Sequence, residues 1–287
     1  MTPQASRFLA LIVCMTTAAM AEQPLDPRIT PQSLEAFRKH SFEHEGFSLP
    51  YRLMEPTQIE QGEKRPLLVL MHGKGERGEE NQRQLIHGGR VFASPGFRDK
   101  TRAFVVAPQC PSGKEQGTTS DKPEDPPGTE ADRVWTYGLS PKASATLDLD
   151  NGMTRQLDAA SRLVDHLIET LPIDPDRVYL AGLSMGGYAT WELIERDPSR
   201  WAAAVPICGA GDPTHASRLI NLPIWAHHGA KDSVIPVERS REMITAIQAA
   251  GGKPIYSEYP DAGHDSWTPA LTSKHVWDWV FAQRRGQ

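Results

Sequence analysis

Gly182-Leu183-Ser184-Met185-Gly186 has the form Gly-x-Ser-x-Gly, and its surroundings give the pattern chemical meaning. The apolar run Val178–Ala181 leads into it, and Met185–Arg196 reads as a helix stopped by Asp197-Pro198. A sharp strand-to-helix turn lifts a serine above the edge of a sheet, and the flanking glycines permit that turn. The helix that follows aims its first amides at the same point, which favours developing negative charge. An ordinary serine in a Gly-rich turn is the bland alternative, and the strand and helix on either side argue against it.

A serine hydroxyl is a weak nucleophile until a base takes its proton. Histidine suits that task, because its reference pKa of about 6.5 lies near working pH. Of the ten histidines, His264 stands in a loop, Asp261-Ala262-Gly263-His264-Asp265, directly after the last strand-like run. The imidazole needs a carboxylate on its other nitrogen. Asp232, after the run Pro223–Ala226, is the candidate; Asp212 and Asp265 are its rivals. An oxyanion would be met by the backbone amides of Met185 and Lys74, with Gly73 as second choice for the latter. Lys74 lies in His72-Gly73-Lys74-Gly75, which follows the run Pro66–Met71. His72 reads as a brace for that loop. Trp135 and Trp267, in loops on the same side, are candidate substrate contacts, although tryptophan often only covers apolar surface.

These residues need a scaffold, and its parts are legible. Pro66–Met71, Ala103–Ala107, Val178–Ala181, Ala202–Ile207, Pro223–Ala226 and Ile255–Tyr259 are short apolar runs ending in Gly, Pro, His or Cys. Unbroken runs suit strands covered on both faces of a parallel sheet. Ser41–Pro56 reads as a hairpin. Leu157, Ala160, Val164, Leu167 and Leu171 fall at helical spacing, and 185–196, 238–250 and 273–284 are further helices. Alternating strands and helices give an α/β fold with a mainly parallel sheet. Pro111–Asp150, rich in Gly, Pro, Ser, Thr and Asp, breaks the rhythm and is expected to be a loop or lid insertion near the site.

Arg7, the apolar stretch Phe8–Met15 and Ala19-Met20-Ala21 read as a signal peptide over residues 1–21, implying a periplasmic or secreted protein. That apolar stretch is far shorter than the roughly 20 residues of a membrane-spanning helix, so no stable membrane insertion is expected after cleavage. Residues 22–40 read as an N-terminal arm, and 41–287 as one catalytic domain. A net charge of -5, with no long Lys/Arg run, argues against a nucleic-acid partner. Cys110 and Cys208 could pair in an oxidising compartment or serve as small buried hydrophobes.

Together these motifs resemble the esterase branch of the α/β-hydrolase superfamily, especially secreted dienelactone-hydrolase-like and phospholipase/carboxylesterase-like esterases. The resemblance is carried by His72–Gly78, Ala107–Pro111, Gly182–Gly187, Pro206–Gly209, His228–Asp232 and Gly263–Trp267. The order Ser184, Asp232, His264 is the one such enzymes use. The resemblance implies an eight-stranded sheet flanked by helices, no cofactor, and ester hydrolysis through an acyl-enzyme on Ser184. Glu76 and Arg77 would brace the oxyanion loop, or Arg77 would recognise an acidic substrate. Two other functions fit the same residues. Prolyl-oligopeptidase-type peptidases share this catalytic domain but generally add a propeller that the chain is too short to contain. A non-catalytic binding protein could keep the fold.

Overall fold

Each apolar run is a strand. In the computed structural model the described residues are 26–112, 135, 147, 149–150 and 152–287. The expected signal peptide, and all but a few residues of the expected 111–150 insertion, lie outside them. The strands are β1 (Phe37–His44), β2 (Phe47–Met54), β3 (Arg65–Met71), β4 (Phe104–Pro108), β5 (Ile173–Leu183), β6 (Ala203–Ile207), β7 (Trp225–Gly229) and β8 (Ile255–Tyr259). They form one eight-stranded sheet in the order β1-β2-β4-β3-β5-β6-β7-β8. β1, β2 and β4 pair antiparallel, and every pair from β4 to β8 is parallel.

The helices are α1 (Pro31–Ala36), α2 (Gly89–Phe92), α3 (Pro95–Thr101), α4 (Arg155–Thr170), α5 (Met185–Arg196), α6 (Glu238–Ala249), α7 (Trp267–Thr272) and α8 (Lys274–Ala282). Successive side chains of a strand point to opposite faces, so a strand buried on both sides must be apolar throughout. β3 shows this directly. Leu67, Val69 and Met71 join a core with α4, α5 and α6, while Leu68 and Leu70 join another with Phe92, Leu271, Trp277 and Val280. Helices therefore cover both faces.

The described part of the segment read as an arm, residues 26–40, is instead part of the domain. Thr30 caps α1 by accepting the Ser33 amide, β1 begins at Phe37, and both Ile29 and Phe37 are buried in the second core. Its polar composition concealed this because β1 is an edge strand in which only Phe37 is buried. The hairpin accordingly runs 37–54, turning at Glu45-Gly46, both at positive φ.

Candidate active site

Ser184 sits between β5 and α5 with φ 53° and ψ -117°, a conformation that costs a non-glycine residue on the order of 1–3 kcal/mol. It is the N-cap residue of α5, yet its hydroxyl caps no amide of that helix. Instead Oγ lies 2.9 Å from Nε2 of His264. The tight turn needs bare backbone at Gly186, where a Cβ would stand 2.1 Å from the Met71 carbonyl oxygen at the end of β3. The loop after β3 is thereby pressed against the first turn of α5.

His264 reaches the site from the loop after β8, and Asp232 from the loop after β7. Their loops are held together by the Ala230 amide on the Tyr259 carbonyl (2.9 Å) and the Lys231 amide on the Ala262 carbonyl (3.0 Å). Gly229 allows this, since a Cβ there would lie 2.0 Å from the Gly263 oxygen. Nδ1 of His264 is 2.7 Å from Oδ2 of Asp232, whose side chain is fully buried while that of His264 is 20% exposed. The other carboxylate oxygen accepts the Val234 and Ile235 amides at 2.8 and 2.9 Å. Burial pushes the Asp232 carboxyl up, but hydrogen bonds from His228, His264 and the two amides outweigh it and hold the group far below the usual carboxylate range.

The structure thus brings Ser184, His264 and Asp232 into one hydrogen-bonded line. The rivals of Asp232 are elsewhere. Asp212 accepts the Thr214 and Leu147 amides, and Asp265 is exposed.

Lys74 and Met185 each open a turn, Lys74 the 3-10 turn Lys74–Glu76 and Met185 helix α5. The amides at the start of a helical turn have no acceptor within it. Gly73 packs beside the nucleophile, for a Cβ on it would stand 3.5 Å from Ser184 Cβ. The loop is braced from below. His72, fully enclosed, donates Nδ1–H to the Gly73 carbonyl at 2.6 Å and accepts the Cys110 amide on Nε2 at 2.9 Å; burial pushes its pKa down to about 4, keeping it neutral. Arg77 donates to the Lys74 carbonyl at 3.0 Å, and the buried Glu76 carboxylate lies 3.4 Å from His87 Nε2.

The two tryptophans part company. Trp267 is half-buried, with its ring edge-on to His264 at 5.3 Å and tilted against His87 at 5.0 Å, so it flanks the site. Trp135 has no exposed surface. It belongs to the core, its Nε1 donating to the His72 carbonyl at 3.3 Å, and it is not positioned to touch a substrate.

Two residues near the line do not read as site residues in the sequence. His228 approaches Asp232 from the end of β7. Cys208 follows β6 at positive φ, and its sulfur lies within 4.8 Å of ligand atoms of both Asp232 and His264, the one such three-residue group among the described residues. A metal there is disfavoured. Burial pushes the Cys208 thiol up to about 12, and Asp232 and His264 already bond each other. Cys208 and Cys110 are free buried thiols. A polar residue interrupting an apolar strand end was the available signal for His228.

A crystallised thermostable esterase superposes on 88% of the chain, and on 64% of its own, with TM-score 0.71 and 33% identity. The chain has the α/β-hydrolase fold. Residues 140–270 match the dienelactone hydrolase family. A Nocardia uniformis subsp. tsuyamanensis protein named "Putative esterase NocK" is 25% identical over 212 residues, covering 73% of this chain and 52% of that protein. The chain thus spans about half the length of that curated relative. An acylaminoacyl peptidase of Pyrococcus horikoshii shares the fold at 16% identity and TM-score 0.61, over 89% of this chain and 43% of that one. Among the described residues no helix is long and apolar enough to cross a membrane.

Proposed function

We propose that the protein is a serine-dependent carboxylic-ester hydrolase. The observation that carries this reading is the Ser184–His264–Asp232 line, 2.9 and 2.7 Å, at the start of a helix. Ser184 Oγ attacks the ester carbonyl carbon while Nε2 of His264 takes its proton. Asp232, ionised and desolvated, steadies the imidazolium. The carbonyl oxygen becomes an oxyanion and is met by the amides of Met185 and Lys74; loss of one such donor costs about 3 kcal/mol of barrier. Collapse expels the alcohol, which takes the proton from His264, and leaves an acyl group on Ser184. Water then repeats the sequence and releases the acid. None of these steps calls for a cofactor.

The esterase names among the similar proteins and the dienelactone hydrolase match support esters over amides. Export, read from residues 1–21, points to esters outside the cytoplasm: acylated polysaccharide, phenolic ester or polyester. A panel of p-nitrophenyl esters of increasing acyl length, a feruloyl ester and a prolyl peptide amide tests the reading. Ester turnover that disappears in Ser184→Ala is expected. Turnover of the amide with none of the esters would replace the esterase by a peptidase, and absence of all turnover would favour a binding protein.

A further inference from the structure

Asp232 serves two imidazoles. His228, the penultimate residue of β7, is fully buried, with Nδ1 2.7 Å from Ser240 Oγ on α6 and Nε2 3.0 Å from the Ile235 carbonyl oxygen. A carbonyl only accepts, so Nε2 carries the proton; Nδ1 is then the acceptor, and the Ser240 hydroxyl donates to it. The same Nε2 lies 3.3 Å from Oδ2 of Asp232, the oxygen that His264 Nδ1 meets at 2.7 Å. A continuous path runs Ser240, His228, Asp232, His264, Ser184.

We propose that His228, oriented by Ser240, is a positioning residue that fixes Oδ2 of Asp232 for His264 and draws off part of that oxygen's charge. This rests on the esterase reading above. The two amides on Oδ1 fix one end of the carboxylate, and His228 fixes the other, so the carboxylate cannot swing away when His264 accepts a proton. Partners at this remove from a reacting group commonly change its performance about 10- to 100-fold.

The consequence for pH has a definite sign. A donor shared on Oδ2 weakens the hold of Asp232 on the imidazolium form of His264. Without that donor the hold strengthens, protons stay on the base to higher pH, and the acid limb of the rate profile moves up. Other charged or titratable groups around the path are left in place. Glu258 pairs in register with His228 across β7 and β8 and is held by Arg241. Arg239 pairs with Glu242, and Tyr188, Cys208, Asp265 and His87 complete the surroundings.

The test uses the full chain with p-nitrophenyl acetate, comparing wild type, His228→Leu, His228→Gln and Ser240→Ala between pH 5 and 9, with thermal unfolding as a check on folding. Leucine removes the donor; glutamine returns an N–H near the place of Nε2. Expected for His228→Leu is a kcat lower by about 10-fold or more at little changed KM, with the acid limb raised by about half a pH unit. His228→Gln should recover most of both, and Ser240→Ala should fall between. If His228→Leu does not fold, Ser240→Ala decides by the same shift of the acid limb, with His228→Gln as the variant that should lack it. Unchanged kcat and acid limb in folded His228→Leu, or in Ser240→Ala where the leucine variant does not fold, would overturn the proposal, as would a loss of kcat with the acid limb fixed. Hydrolysis that survives Ser184→Ala would instead overturn the underlying reading, whatever His228 does.

Discussion

The carboxylate of Asp212 accepts the amide of Leu147 at 2.7 Å, tying a residue 65 positions earlier to the turn after β6. That turn stands beside the sheet edge that bears Ser184, yet Asp212 is fully engaged: Oδ1 takes the Thr214 amide and hydroxyl, and its own amide donates to Glu195. Asp212 and Asp232 therefore divide the labour. Asp212→Asn should cost about 1–3 kcal/mol of stability while kcat stays within about 10-fold. Asp232→Asn should lower kcat by roughly four orders of magnitude with the fold intact. Unfolding curves and steady-state rates on the pair check this.

Trp135 is expected to act through the fold. Trp135→Phe removes the bond from Nε1 to the His72 carbonyl and should lower stability by about 1–3 kcal/mol. KM for short esters should not move. A selective rise in KM for bulky esters would return Trp135 to the substrate pocket.

Gly229 is where backbone meets backbone between the Asp232 and His264 loops. Gly229→Ala should force them apart and lower kcat by about 100-fold or more, since a displacement near 1 Å at a reacting group has that effect. Circular dichroism should show the sheet and helices retained, and rates normal in that variant would contradict the coupling.

Acid should destabilise the protein well above the range of ordinary carboxylates. Burial pushes His72 down to about 4 and His227 down to about 3. Between the unfolded value near 6.5 and those values, the unfolded chain binds protons that the folded chain refuses. Their contribution is complete above pH 6.5 and is lost as pH falls towards 4, on the order of 3 kcal/mol for each group. Glu195, which burial pushes up to about 7, opposes them, because its neutral form is favoured in the fold; its partner His215, raised by that contact, has the same opposing sign. The two depressed histidines set the direction, so the urea midpoint should drop between pH 7 and pH 4.5, and Glu195→Gln should steepen the drop. A flat midpoint over that range would refute the assignment of neutral buried histidines.

How much of this was visible in the sequence depended on whether local pattern and tertiary setting agreed. β3 to β7 were legible because strands buried on both faces are rich in apolar residues, and β8, half-exposed at the far edge, because Ile255, Tyr256 and Tyr259 mark it as a strand. The line Ser184, Asp232, His264 was legible because each residue follows such a strand. α1 and β1 were hidden in polar residues, since edge elements bury only a few positions such as Ser33 and Phe37. Trp135 was misread because a loop residue is normally at the surface, whereas this one fills the space under His72. His228 looked like the end of a strand. Only the fold sets its Nε2 beside Asp232.

The central claim, that Ser184 is the activated nucleophile, is met most directly by covalent labelling. A fluorophosphonate reacts with a serine whose proton is removed by a base and marks it permanently. Peptide mass mapping after trypsin should find the added mass on the fragment 178–196 at Ser184, and Ser184→Ala should take up none. A label on another fragment, or equal uptake by Ser184→Ala, would contradict the account.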